Sequence, residues 1–197
     1  MLKSNLKPLP SPDSFISVGI VDVLSSTDLS DLCDAADATI EAGGGFGWIK
    51  SPPRETLERY WKGVLAVPER HLLAARINGT ICGAVQLVEP SRHNEAQAFA
   101  ATLLASFVAP WAQRRGAASK LLQTAEKLAA EIGYHVLQAD IRQSQAAALH
   151  LYEKAGYARW GVNPFYARID NVHIAGCYYH KTITPIYCEG GGKFNFS

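Results

Sequence analysis

The sequence predicts a mixed α/β fold, a sheet with helices packed on it, and three observations carry that expectation. Strand-like and helix-like segments alternate along the 197 residues in the order βαα, ββ, βαβα, ββ, with no internal repeat. Two of the helical stretches keep their apolar residues on one face, and Asn78-Gly79 between two apolar runs is a strong hairpin signal. With 48% hydrophobic and 19% charged residues, the chain has the composition of a globular protein able to bury one core.

Each element has a local reason. Residues 1–13, with Pro8, Pro10 and Pro12, read as a loose leader, and 14–184 as a single domain that opens on the strand FISVGIVDVL. Ser26 or Asp28 is placed to cap a helix through DLSDLCDAADATIEAG, which stops at Gly43, Gly44 and Gly45. That glycine cluster lacks the GK[ST] of a phosphate loop, so a lid or loop carrying exposed Phe46 and Trp48 is expected instead. Pro53 opens the helix RETLERYWKGVLA, the hairpin strands RHLLAARING and TICGAVQLVEP follow, and AFAATLLASFV is a further strand. The next helix places Leu121, Leu122, Ala125, Leu128, Ala129 and Ile132 on one face and ends at Gly133. After the strand YHVLQADI, the helix SQAAALHLYEKA groups Ala148, Leu151, Tyr152 and Ala155 and stops at Gly156. YARWGV, a loop NPFYARIDN and an alternating strand IAGCYYHKTI complete the domain, and 185–197 reads as an irregular tail.

Composition also excludes classes of function. A formal charge of +1 argues against a nucleic-acid binder, and the absence of a basic amphipathic helix argues against a membrane surface. Cys33, Cys82, Cys177 and Cys188 form no CxxC pair or zinc-ligand spacing, so no metal is expected and reduced thiols are the plain reading. The N-terminus has no apolar run behind its lysines, and the weakly polar stretch from Ala98 to Ala112 is too short to span a bilayer. A cytoplasmic monomer or homodimer is expected.

The most informative stretch is FVAPWAQRRGAASKLL, residues 107–122, where two arginines stand at the start of a helix. A helix N-terminus is the positive end of the macrodipole, so cations there are mildly unfavourable unless an anion sits in front of them. From Ala96 to Ala125 there is no acidic residue, and Gly116, Ala117, Ala118 and Ser119 are small enough for main-chain amides to approach a ligand. The same residues also fit solvated arginines beside alanines chosen for close helix-to-sheet packing.

Two motifs extend this reading. Val108, Pro110, Gln113, Gly116 and Ala118 reproduce V-x-P-x-x-[QR]-x-x-G-x-[GA] between a strand and an amphipathic helix. Gln145, Ala148, Tyr152, Gly156 and Tyr157 give Q-x-x-A-x-x-x-Y-x-x-x-G-Y on the later helix. Over about residues 68–183 the chain thereby resembles the GNAT superfamily of acetyl-CoA-dependent N-acetyltransferases, with Gln145 in place of the usual Asn. The resemblance implies a mixed, mostly antiparallel central sheet with flanking helices and acetyl-CoA as co-substrate. It further implies that the main chain at Phe107 and Val108 pairs with the pantetheine arm, and that the amides of Arg114, Arg115, Gly116, Ala117, Ala118 and Ser119 hold the pyrophosphate. Gln113, Gln145 and Tyr152 join that cofactor set by the same motifs. The last third, NPFYARIDN through CYYHK, also resembles the tabtoxin-resistance type, which implies a small-molecule amine as partner.

Such a reaction sets chemical demands. An ammonium of pKa about 10.4 leaves only about one amine in a few thousand neutral at pH 7, a cost of about 4 to 5 kcal/mol. The resemblance makes Tyr152 the proton donor to the departing thiolate, although a tyrosine there also fits simple packing on the sheet. Many relatives carry a glutamate on the strand that here reads AFAATLLASF, where Thr102 takes its place. Asp140 near the end of the next strand is the other catalytic candidate, to position the substrate ammonium or relay its proton; capping the loop into the following helix is the plainer alternative. Glu89 and Glu95 read as rim charges, the six histidines form no evident site, and no nucleophile elbow is visible, so direct transfer in a ternary complex is expected. Phe46, Trp48, Tyr60, Trp61 and a loop Pro164 to Asp170 are expected to build the acceptor cleft, and their aromatics equally fit core residues closing the sheet's edge. A non-catalytic acyl-CoA-binding module with the same fold is the alternative.

Overall fold

A computed structural model describes residues 15–44 and 46–184. The leader and tail expected at the two ends, together with Gly45 and Cys188, lie outside the described residues. Seven strands and four helices follow in the order β1 (Ile16–Ile20), α1 (Ser26–Glu41), α2 (Arg54–Leu65), β2 (Arg70–Ile77), β3 (Thr80–Val88), β4 (Ala100–Val108), α3 (Ala117–Ile132), β5 (Val136–Arg142), α4 (Ala146–Lys154), β6 (Ala158–Ile169) and β7 (Val172–Thr182). The strands form one sheet in the order β1-β2-β3-β4-β5-β7-β6, and only β4 and β5 run parallel. A mixed, mostly antiparallel sheet with flanking helices is therefore what the chain builds.

Strand alternation divides the core into two layers. On one face Leu73, Ala75, Val85, Leu87, Ala101, Leu103, Leu137 and Ala139 pack against Leu121, Leu122, Ala125 and Ala129 of α3 and Tyr152 of α4. On the other face Leu72, Ala74, Ile81, Ala84 and Phe107 pack against Leu32, Ala36 and Ile40 of α1 and Leu57, Trp61 and Val64 of α2. At Gly83, β3 and β4 come close enough that a Cβ there would stand 2.5 Å from the Phe107 carbonyl oxygen.

Four expectations need correction. The N-cap of α1 is Ser25, whose Oγ accepts the Asp28 N–H at 3.0 Å, rather than Ser26 or Asp28. Ile132, placed on the buried stripe of α3, is 41% exposed because the helix has run past the sheet by then. Phe46 and Trp48 are half-buried rather than exposed; Phe46 stacks on Phe107 at 4.9 Å and meets Trp61 at 5.6 Å, while Trp48 meets Tyr60 edge-on at 6.4 Å. NPFYARIDN is not a loop, because β6 continues through it to Ile169. Pro164 is tolerated there since β6 is the edge strand, and its pairing with β7 slips between Asn163 and Ala167 around the proline.

Candidate active site

The sheet contains a built-in opening. β4 pairs with β5 only from Ala100–Val136 to Leu103–Ala139, and beyond that β5 continues to pair with β7 while β4 bends away. The bend has a local cause: two residues of β4, Ala105 and Ser106, oppose the single Val85 of β3, and Ala105 takes up the extra length at φ +50°. Past this bulge the Ala109 N–H bonds the Cys82 carbonyl at 2.8 Å, so antiparallel alternation turns the N–H and C=O of Val108 away from β3 and toward the gap. The Val108 carbonyl there accepts the Gln113 carboxamide at 3.3 Å.

The chain leaves the gap through the 3₁₀ turn Pro110–Ala112 and a tight bend into α3. Arg114 (φ +59°) and Gly116 (φ +86°) are both left-handed, and Gly116 is the N-cap of a helix whose first turn has no acid and no side-chain cap. The leading N–H groups of α3 are therefore turned outward at the positive end of its dipole. Arg114 and Ser119 are exposed and Arg115 half-buried, whereas Ala117 is 1% exposed and belongs to the core. The close-packing reading of the alanines thus holds for the Ala117 side chain while its main chain stays at the turn.

Beside the gap, the C-terminus of α1, the Pro110 turn and the N-terminus of α4 enclose a cleft of about 250 Å³ lined by Thr39, Ala42, Gly44, Pro110, Gln113, Ser144, Gln145, Ala146 and Ala147. Gln145 is the N-cap of α4, and its carboxamide donates to the Gly43 carbonyl at 2.9 Å, tying α4 to the loop after α1. Its longer side chain thus reaches a main-chain partner across the cleft, a use the motif by itself did not suggest.

Tyr152 lies beneath the gap, 3% exposed, with its ring edge-on to Tyr157 at 4.9 Å. Ser106, on the bulged part of β4, lies close to the Tyr152 hydroxyl. Burial pushes the phenol up to about 12; the nearby Ser106 side chain opposes this, and the charges of Asp140 and Glu126 add to it. Tyr152 is accordingly neutral at any physiological pH and keeps its proton.

Asp140 stands across the gap on the opposite face of β5, close enough for its charge to act on Tyr152. It does not cap α4, whose N-cap Gln145 makes no side-chain capping bond. Instead its carboxylate accepts the Tyr166 hydroxyl. Burial first, then this hydrogen bond and the carboxylate charge, raise the Tyr166 phenol well above its ordinary value. Tyr166 is held there because its ring lies over Gly176 of β7, where any Cβ would collide with it. Tyr178 meets Tyr166 edge-on at 6.2 Å.

The structure thus brings Val108, Tyr152 and Asp140 around one gap and sets Gln113 to Ser119 at its exit. The aromatics expected at the acceptor cleft instead pack as core on the neighbouring face: Trp61 is fully buried, Phe46, Trp48 and Tyr60 pack against the same cluster, and Tyr60 accepts the Gln86 carboxamide at 2.8 Å. Thr102 of β4 pairs with Gln138 and stays half-buried without an acid beside it in register. Glu89 bonds His71 at 2.8 Å near the far end of β3. His150 and His173 are exposed on different elements, and no metal-binding cluster is present among the described residues. No described helix is long and apolar enough to cross a membrane. Sequence reasoning missed Ser106, which follows from the bulge, and the pairing of Tyr166 with Asp140, for which two small residues in β7 were the available signal.

Comparison with known proteins fits this geometry. The acetyltransferase (GNAT) family model matches residues 35–157. An uncharacterized N-acetyltransferase in the hisH-hisA intergenic region of Azospirillum brasilense is 55% identical over 130 residues, 66% of this chain and 77% of the relative. Among solved structures, a proposed phosphinothricin N-acetyltransferase superposes with a TM-score of 0.71 at 21% identity, covering 86% of this chain and 99% of that one. A proposed acetyltransferase from Salmonella typhimurium, solved with its cofactor acetyl-CoA, superposes with a TM-score of 0.69 at 14% identity over 86% and 94% of the two chains. With well over half its length matched by the family model and a relative of this identity, the chain belongs to the acetyltransferase (GNAT) family.

Proposed function

We propose that this protein moves the acetyl group of acetyl-CoA to the primary amine of a small molecule by direct attack within a ternary complex. The observation that carries the reading is the parting of β4 from β5 after Leu103, with the Val108 main chain turned into the gap and Tyr152 close to Ser106 of the same bulged strand. The residues present fit acetyl-CoA. Outward amides from Arg114 to Ser119, with the guanidinium groups of Arg114 and Arg115, suit a pyrophosphate, and the gap is bordered by main-chain groups of the kind that pair with amides. When bound, acetyl-CoA supplies the activated acyl group as a thioester.

The chain's own groups then divide the work. The Val108 N–H polarises the acyl carbonyl where negative charge develops. Asp140, held by Tyr166, receives the substrate ammonium and keeps its nitrogen near the gap. Tyr152 donates a hydrogen bond to the departing sulfur. A phenol at about 12 is a weaker acid than a thiol near 8.5, so Tyr152 stabilises sulfur charge without losing its own proton for long. The ammonium first gives one proton to solvent, relayed through Asp140; its neutral nitrogen then forms the C–N bond as the C–S bond breaks, and the second proton it loses ends on the sulfur, which leaves as free thiol.

Calorimetry with coenzyme A and a thiol-release screen over amino acids, polyamines, aminoglycosides and peptides test the proposal. Binding of coenzyme A and thiol release with one class of small amine are expected. No heat at millimolar coenzyme A would overturn the reading, and binding without thiol release from any amine would leave the acyl-CoA-binding module.

A further inference from the structure

Arg142 is the last residue of β5 and has no role in the reading so far. Its Nη2 is buried and has no hydrogen-bond partner. Leu137, Ala139 and Ile141 enter the core beneath α3 and α4, so alternation places Asp140 and Arg142 together on the other face, about 7 Å apart from Cα to Cα. Arg142 pairs in register with Gly176, the glycine that Tyr166 covers, and its charge acts on the Tyr166 phenol. A carboxylate, a phenol and a guanidinium thus share one patch beside the gap.

A structural arginine in this place would be expected to satisfy itself on the acid two residues away. Here Asp140 takes the Tyr166 hydroxyl, and a buried donor of a charged group stays unsatisfied. Buried polar groups without partners are unfavourable, and an ordered water, an ion or a ligand can complete them. The guanidinium is a planar fork that matches an oxyanion with two parallel hydrogen bonds.

We propose that Arg142 binds an acidic group of the acceptor, so that the substrate is an amine that also carries a carboxylate or equivalent oxyanion, with its nitrogen at Asp140 and its anion at Arg142. The proposal deepens the acceptor side of the function above and rests on it. Arg142 is a specificity residue here, since it meets the substrate away from the reacting atoms.

The test titrates matched pairs into protein saturated with coenzyme A: L-lysine against cadaverine, L-phenylalanine against phenethylamine, and L-methionine against 3-(methylthio)propylamine. The acid-bearing member of at least one pair is expected to bind at least about tenfold more tightly than its decarboxylated partner. Arg142→Met should collapse that preference while leaving coenzyme A affinity unchanged, and Arg142→Lys should retain part of it. A wild-type protein that binds neither member of any pair, or shows no preference for the acid, overturns the inference without needing a variant. So does a preference that survives in a folded Arg142→Met or, if that variant is unstable, Arg142→Gln. Intact coenzyme A binding in the same samples confines such a failure to this inference, whereas its loss in the wild type would sink the transferase reading itself.

Discussion

The two halves of the sheet are built differently. From β1 to β4 the central strands are covered on both faces, by α1 and α2 on one side and α3 on the other, and β3 is buried almost from end to end. From β5 to β6 the strands are covered on the α3 and α4 side, and the opposite face carries Asp140, Arg142, Tyr166 and Tyr178, while Trp160 stays 63% exposed. The seam between the halves is the one parallel pair, and it opens after four residues. Stability concentrates where apolar side chains face helices on both sides; polar and titratable groups collect where a face is left open. A site at the seam can take a rigid backing from the first half and reactive side chains from the second.

The largest expected effect contrasts two tryptophans. Trp61→Ala removes a fully buried ring that meets Tyr60, Phe46 and Phe107 and should cost about 3 to 5 kcal/mol in denaturant unfolding, whereas Trp160→Ala should stay within about 0.5 kcal/mol. Equal losses would break the comparison. Next, Tyr152→Phe should lower kcat by about 10²-fold or more with coenzyme A affinity nearly unchanged in calorimetry, since the proposed mechanism uses the hydroxyl at the departing sulfur and not in binding. An unchanged kcat would return Tyr152 to a packing role.

Gly176→Ala drives a methyl into the Tyr166 ring and should destabilise by about 1 to 3 kcal/mol, raising the KM for the amine more than that for acetyl-CoA. A smaller effect is expected at the other end of the gap: Gly116→Ala meets no neighbour but must adopt φ +86°, so about 1 kcal/mol of strain and a several-fold weaker coenzyme A affinity should appear together. Alkaline pH acts mainly on the second half. Burial holds Tyr152, Tyr179 and Tyr134 each at about 12, above the ordinary value of 10. The folded protein therefore holds these protons more tightly than the unfolded chain, so their contribution is complete below about pH 10 and is lost as pH rises toward 12. Melting temperatures measured from pH 9 upward should fall across that window, and a flat profile would contradict the burial argument.

The first half of the molecule and both motif helices were legible because each obeys a local rule. Apolar spacing placed α3 and α4, Asn78-Gly79 placed the β2–β3 turn, and glycines stopped the helices where they stop. The glycine and small residues of the Gln113 to Ser119 turn announced a bend with unusual main chain, and Arg114 and Gly116 do adopt left-handed conformations. The second half was harder to read. Proline and asparagine in NPFYARIDN speak locally for a loop, but an edge strand needs only one of its sides paired, and β7 supplies that pairing. In the first half, the sequence misleads at Phe46 and Trp48, which read as exposed because nothing near them in the chain shows that Trp61 and Phe107 will form a surface beneath them.

What the sequence by itself determined was the order of elements, the left-handed turn before α3 and the identity of the groups offered for chemistry, because each depends on residues only a few positions apart. Tertiary structure alone decided that β4 parts from β5, that Tyr152 reaches Ser106, that Tyr166 takes Asp140, and that Arg142 keeps a buried donor unsatisfied. Those are contacts between distant segments, and their geometry is set by how the strands pair across the sheet, which no local pattern of residues encodes.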